Sequence, residues 1–250
     1  MSPTLHIGPL SVQAFGFILL LGLWLGLTLS EKLATRTSPN FPVSQLGNLV
    51  LIALLSGLLG ARLTFVARAP QAFAATPWQA FLPSTTALDP EGGLLFATLA
   101  LLIYRQRKQL PFWPMLDALT PLFFTLLIAL PIANLAEGNA YGRPTNLPWG
   151  IYLWGAYRHP VQLYEALAAL LIAIWLWPRR TAPTLPPGVR FARLLTLSAA
   201  ARLFLEAWRG TPQNTLATQL VAWLLLALGL LAWGLLQNRP SPSEPQGEAQ

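Results

Sequence analysis

Long apolar runs alternate with short polar ones along almost the whole chain. A helix needs about 20 mostly apolar residues to cross a bilayer. On that rule the pattern predicts seven spans, at about Val12–Leu29, Leu46–Val66, Gly92–Tyr104, Pro114–Ala133, Val161–Trp177, Phe191–Trp208 and Leu216–Leu236. The third is the shortest. It opens on Glu91-Gly92-Gly93, which predicts a start inside the membrane beneath a partly embedded loop over 69–90. Irregular backbone at that depth is stable only where protein or a water-filled cavity covers it. The first run has no basic segment before it and no small-residue cleavage site after it, so it reads as a span and not a signal peptide. Residues 181–188 (TAPTLPPG) predict a proline-stiffened cytoplasmic linker, and the Pro-, Ser- and Glu-rich residues 239–250 a disordered cytoplasmic tail. The fold expected is all-α: a polytopic integral membrane protein, one transmembrane domain over 1–238, with about seven helices around an outward-facing polar cavity.

One stretch breaks the apolar pattern. Residues 134–165 (NLAEGNAYGRPTNLPWGIYLWGAYRHPVQLYE) gather Asn134, Glu137, Asn139, Arg143, Arg158, His159, Gln162, Tyr164 and Glu165 between two hydrophobic runs. Polar and charged groups at membrane depth mark a path or site for a polar molecule. Gly138, Gly142 and Gly155 read as turn residues there, and Tyr141 and Tyr152 as interface aromatics.

Composition agrees with a membrane protein: 54% of the 250 residues are hydrophobic and only 10% charged, against about 25% charged in a soluble domain. Ten tryptophans suit the membrane interface. The net charge of +7 comes from residues scattered through short loops, a pattern of topology and not of a nucleic-acid groove. Lys32 and Arg36 follow span one, Arg105, Arg107 and Lys108 span three, and Arg179, Arg180 and Arg190 span five. The positive-inside rule therefore predicts an external N-terminus and a cytoplasmic C-terminus. The polar stretch then faces outward. Cysteine is absent, so there is no disulfide, thiol nucleophile or thiolate-bound metal. Two histidines, His6 and His159, without a carboxylate cluster are a poor metal-ligand set.

In span six, Arg202, Glu206 and Arg209 are spaced by four and three residues and share a helix face. An arginine at a helix centre costs about 2.5–3.5 kcal/mol on insertion scales, so Arg202 is expected to face a partner or a cavity. It is either half of a structural pair with Glu206 or a guanidinium that clamps a phosphate. Arg62 follows Ser56, Gly57, Gly60 and Ala61, small residues that let a neighbouring helix come close. It either snorkels to water or joins the site. His159 stands before a helix start, with Gln162 and Glu165 at helical spacings after it, and reads as a hydrogen-bonding organiser before a catalytic base. Glu91 is either a carboxylate placed for the helix dipole or a general base at the cavity rim.

RHPVQLYE (158–165), with NLAEGNAYGRPTNLPWGI (134–151) before it, resembles the bacterial prolipoprotein diacylglyceryl transferases. AFGF (14–17), GARLTF (60–65), LDALTP (116–121) and ARLFLEAWR (201–209) fit the same family in the same order. The resemblance spans most of residues 12–236. It implies transfer of the diacylglyceryl group of phosphatidylglycerol to the lipobox cysteine of an exported prolipoprotein, giving a thioether and glycerol phosphate. It implies a multi-pass protein of the bacterial plasma membrane whose partners are phosphatidylglycerol, preprolipoprotein signal peptides and the lipid bilayer, with no nucleic acid. No metal or diffusible cofactor is required. The departing phosphate needs cations over it, and the acceptor thiol must lose its proton. By resemblance, Arg202, Glu91, His159 and Glu206 are the candidates for catalytic work. Arg62, Asn134, Glu137, Asn139, Gly142, Arg143, Gln162, Tyr164, Glu165 and Arg209 are the candidates for substrate binding.

The chain departs from the family pattern at identifiable positions. The family's GRxGNFxNGE is LPIANLAEGN (130–139), so its arginine, implied to meet the lipid head group, falls on Pro131. Asn134 is kept, while Glu137 and Asn139 replace an asparagine and a glutamate. The family's HGG is EGG, with Glu91 for the histidine. Two tyrosines appear as Phe15 and Phe65, and an aromatic as Ser198. Two readings follow. One is a divergent transferase whose phosphate clamp rests on Arg202 with Arg62 or Arg143 and whose base is Glu91 or Glu137. The other is a protein of the same fold that binds phospholipid or lipoprotein signal peptides without turnover.

Overall fold

A computed structural model of the chain describes residues 4–7, 10–74, 76, 78–79, 88–178, 185–210 and 216–238, with backbone alone at 4–7, 10–12 and 72. Seven α-helices carry the described chain: α1 (Ala14–Thr37), α2 (Gln45–Arg68), α3 (Pro90–Arg107), α4 (Phe112–Glu137), α5 (Val161–Leu176), α6 (Val189–Leu205) and α7 (Leu216–Gln237). Each falls on a predicted span. By length and composition, α1, α2, α4 and α7 are apolar enough to cross a membrane, and α5 is a shorter apolar helix.

The helix ends differ from the expectation. α1 continues past Leu29 to Thr37, so Lys32 and Arg36 stand on the helix and not in the loop after it. Arg105 and Arg107 likewise close α3, and Arg190 opens α6. Cations in a last turn favour helix continuation because they meet the negative end of the macrodipole. Arg179, Arg180, residues 181–184, the 239–250 tail and most of the 80–90 part of the loop before α3 lie outside the described residues, as does the His6 side chain.

The helical fold is as expected, and two short antiparallel hairpins accompany it: β1 (Thr4–Ile7) with β2 (Leu10–Gln13), and β3 (Ile151–Leu153) with β4 (Ala156–Arg158). The second turns on Trp154 and Gly155, at φ +53° and +80°. A tight hairpin with the strand twist needs positive φ at both central residues, which glycine supplies freely. Tyr152 and Tyr157 face each other across it, ring centres 5.4 Å apart.

The chain divides into two compact units, Phe41–Phe112 and the remainder. In the larger unit, α1 lies antiparallel against α4 through Gly22 and Gly26. A Cβ at Gly26 would fall 2.2 Å from Thr125 Oγ1, and one at Gly22 would fall 2.5 Å from Ala129 Cβ. Pro121 weakens the ladder of α4 from within. The next N–H, of Leu122, donates to Ser30 Oγ of α1, at 3.1 Å. Phe124, Ala173, Leu176 and Leu194 form a core shared by α4, α5 and α6. Buried Asp117 accepts the N–H groups of Gly188 at 2.6 Å and Phe191 at 2.9 Å, so a carboxylate on α4 closes the open end of α6. α7 packs on α6 where Gly229 meets Thr196.

In the smaller unit α2 packs on α3, as the small residues of span two predict. Gly57 and Ala61 meet Gly93, and Gly60 meets Phe96 so closely that a Cβ would fall 2.3 Å away. α3 starts at Pro90 and not at Gly92. The Asp89 side chain caps it by accepting from the Gly92 N–H at 2.9 Å.

Candidate functional site

Within the larger unit a cavity of about 560 Å³ opens among the C-terminal half of α4, the N-terminal half of α5 and the C-terminal half of α6. Small side chains make the room: Ala168 and Ala169 on α5, Ser198 and Ala201 on α6. Leu127, Leu130, Ile172, Leu205 and Phe15 give it an apolar flank. Asn134, Glu137, Asn139, Glu165, Arg202 and Arg209 supply the polar flank. A deep apolar pocket with a few convergent polar groups is the usual form of a small-molecule site. The acids and cations come from three helices and the segment after α6, so the fold and not local sequence assembles them.

Arg202 stands in the last turn of α6, not at a helix centre. There its charge meets the negative end of the helix dipole, which reduces its cost in an apolar setting. Its Nη1 lies 2.5 Å from Glu206 Oε2. After Leu205 the helix tightens into a 3₁₀ turn over Glu206–Trp208, and Arg209 is extended. That break swings Arg209 across to α5, where its Nη2 meets Glu165 Oε1, while its Nε lies 3.9 Å from Glu206 Oε2. Burial lowers the Arg209 guanidinium from its ordinary value, but arginine stays cationic at neutral pH. The result is a chain of charges, Arg202–Glu206–Arg209–Glu165, of which Arg202, Arg209 and Glu165 line the cavity.

A strip of extended backbone holds this chain in place. Residues 141–145 lie between 157–159 on one side and 208–210 on the other. The bonds are Gly142 N–H to His159 O (3.2 Å), His159 N–H to Arg143 O (3.0 Å), Arg143 N–H to Trp208 O (2.8 Å) and Gly210 N–H to Tyr141 O (3.1 Å). Gly142 is thus not a turn residue. It bridges to Arg209 in an extended strip, and a Cβ there would sit 2.4 Å from His159 O. Gly138 and Gly155 do have positive φ.

The remaining candidates hold the strip and its loop. Gln162 is fully buried and donates from Nε2 to Asn139 O at 2.6 Å. Asn139 donates to Glu137 at 2.9 Å. The Arg143 Nε donates to Arg209 O at 3.0 Å, so its guanidinium braces the strip and is not among the cavity-lining groups. Arg158 lies over the Tyr141 ring at 4.6 Å and donates to Leu153 O and Gly142 O. His159 packs edge-on against Tyr164, ring centres 6.3 Å apart, with its Nδ1 buried and without a hydrogen-bond partner. The Tyr164 hydroxyl accepts from Trp149 Nε1 at 2.8 Å.

Glu91 and Arg62 belong to the smaller unit. Glu91 opens α3, 81% exposed, and pairs with Arg68 at 2.9 Å, while Arg68 also reaches Asp89 at 2.5 Å. Arg62 donates to Gln79 O at 2.7 Å and lies 5.5 Å from the centre of the Phe73 ring. The Glu165–Arg209 pair and the capping role of Asp117 were not expected, because nothing in local spacing links residues so far apart. The small residues Ala168, Ala169 and Ala201 did offer a signal, since they fall in the alanine-rich runs 166–169 and 199–201.

A family model for prolipoprotein diacylglyceryl transferase matches residues 3–235. A phosphatidylglycerol–prolipoprotein diacylglyceryl transferase of Synechococcus elongatus is 29% identical over 270 residues, covering 97% of this chain and 91% of that one. A protein of the same name from Bordetella parapertussis is 29% identical, covering 92% of this chain and 86% of its own. Another from Chloroflexus aggregans is 30% identical over 199 residues, covering 73% of this chain and 65% of its own.

Proposed function

The chain belongs to the prolipoprotein diacylglyceryl transferase family, and from that premise we propose that it moves a diacylglyceryl group from a phosphatidylglycerol-type lipid to the lipobox cysteine of an exported prolipoprotein. The observation that carries this reading is the cavity itself: two guanidiniums and an apolar flank share one wall system among membrane helices. A lipid phosphate has a cationic site at Arg202 and Arg209, and the acyl tails have Leu127, Leu130 and Ile172 beside it. In the reaction the cysteine sulfur bonds to the glycerol carbon that bears the phosphate. The carbon–oxygen bond breaks, and the head-group phosphate leaves with its electron pair. Fixed cations beside that oxygen stabilise the charge as it develops. The acceptor thiol must release its proton. The sequence offers Glu91 or Glu137 as the base for that work, and Glu137 lines the cavity. Gln162, His159, Tyr164, Gly142 and Arg143 act as positioning residues, since each holds the strip or the loop that carries Arg209, Asn139 or Glu137.

The reading places one transmembrane domain over residues 1–238 in a bacterial plasma membrane, N-terminus outside and C-terminus cytoplasmic. The support is internal to the larger unit. The ends of α4 and α6 and the start of α5 meet at the cavity, whereas Lys32, Arg36 and Arg190 stand at the opposite ends of α1 and α6.

The test is to supply this gene to cells depleted of their own transferase and to weigh a reporter lipoprotein. A mass gain of one diacylglyceryl group is the expected result. An unmodified reporter, with the protein present in the membrane, would establish the alternative of lipid or signal-peptide binding without turnover.

A further inference from the structure

Toward the other end of α6 from the cavity stands a cation that nothing among the described residues neutralises. Arg193 lies in the second turn of α6, nine positions before Arg202, and so about 13 Å from it along the helix axis. Its guanidinium sits between two indoles, 5.6 Å from the centre of the Trp175 ring on α5 and 5.2 Å from that of Trp233 on α7. None of the three lines the cavity. The Arg193 Nε is buried without a hydrogen-bond partner, and among the described residues no carboxylate pairs with the guanidinium. The acids at this end are committed elsewhere. Asp117 accepts the backbone N–H groups at the start of α6, and Glu31 is exposed on α1 with Lys32 and Arg36. The neighbouring Arg190 donates to Leu176 O and adds a second positive charge to the field at Arg193.

Two rings attract a cation through their quadrupoles, but they offer no acceptor to its N–H fork. Trp175 is one residue from the end of α5 and Trp233 four from the end of α7. Indoles so placed mark the level of the lipid head groups. Phosphates lie at that level, and a guanidinium meets a phosphate through two parallel N–H bonds. Leu171, Ile174 and Trp175 share one exposed face of α5, an apolar strip leading away from the guanidinium. We propose that this face of α5, α6 and α7 binds an anionic membrane phospholipid, its phosphate on Arg193 between the two indoles and an acyl chain along Leu171 and Ile174. Basic pockets between membrane helices hold anionic head groups by the same physics. The lipid belongs to the leaflet at this end, and its binding is independent of turnover at the cavity.

The experiment measures the unfolding midpoint of the purified full chain in phosphatidylcholine discs, with and without phosphatidylserine. A ligand that binds only the folded chain raises that midpoint, and one charge contact in a chain of this size should raise it by about 2–4 °C. Arg193→Gln should lose at least half of the rise, whereas Arg36→Gln, at an exposed cation of the same end, should keep it. No rise in the unaltered chain would overturn the site. Equal loss in both variants would show a diffuse surface charge and also overturn it. Loss in Arg202→Ala, with the rise intact in Arg193→Gln, would place the lipid in the cavity instead. Arg193→Gln that is less stable in both kinds of disc, with an undiminished rise, would reduce the arginine to a clamp on three helices. A rise given by inorganic phosphate in phosphatidylcholine discs would overturn the lipid assignment. Should Arg193→Gln not survive solubilisation, Arg193→Lys takes its place: it keeps the charge but not the planar fork, and an undiminished rise there would overturn the phosphate contact.

Discussion

At the scale of single residues, Arg202 separates chemistry from packing. Its guanidinium pairs with Glu206 and lines the cavity, so in the proposed reaction its removal subtracts a cation from beside the departing phosphate. Arg202→Ala should lower transfer by roughly 10²–10³-fold, the loss seen when one charge-stabilising donor is taken from a reacting centre. Its membrane insertion should be unchanged, because Arg202 sits in a last turn with no buried backbone partner. Transfer by membranes holding equal amounts of each protein checks this, and full activity would remove Arg202 from the mechanism. Gly142 makes the complementary prediction. Gly142→Ala forces a methyl to within 2.4 Å of His159 O, and overpacking of that kind costs about 1–3 kcal/mol. The strip between 157–159 and 208–210 should part, so both thermal stability in detergent and transfer should fall together.

At the scale of elements, the fold depends on a few close approaches and one remote cap. Asp117 on α4 accepts two backbone N–H groups at the start of α6. Asp117→Ala leaves both donors buried without an acceptor, at about 1–3 kcal/mol each. α6 should then fray from its N-terminal end. Amide exchange should rise at Gly188–Ala192 first, while the far end of α6 near Arg202 keeps its protection. Exchange rising evenly along α6 would show that the cap holds nothing locally. The helices themselves were legible because each is a long apolar run, and the small-residue packing of α2 was legible from Gly57, Gly60 and Ala61. The cap was not, since 71 residues separate Asp117 from Gly188 and only the packing of α4 against α6 brings them together. The hairpin of β3 and β4 was hidden for a different reason: two three-residue strands carry too little alternation to show a period.

At the scale of the whole molecule, the family resemblance was readable because the RHPVQLYE stretch is specific and the other motifs keep its order. The arrangement of charge was only half readable. Spacing showed that Arg202 and Glu206 share a face, but the 3₁₀ turn that redirects Arg209 toward Glu165 follows from no propensity in EAW. What remains for experiment is the direction of the bundle in the membrane. In the larger unit the cavity end carries the 141–158 strip, and the opposite end carries Lys32 and Arg36 on the last turns of α1. Cations held on the cytoplasmic side fix the orientation, so the cavity end should face outward, where the proposed acceptor would present its cysteine. The absence of native cysteine makes this measurable without background. In intact cells, a membrane-impermeant maleimide should label Asn146→Cys, an exposed position in the strip's loop, and leave Lys32→Cys untouched until the membrane is opened. The reverse pattern would turn the cavity toward the cytoplasm, away from its acceptor, and a transferase acting on exported proteins would lose its physical basis.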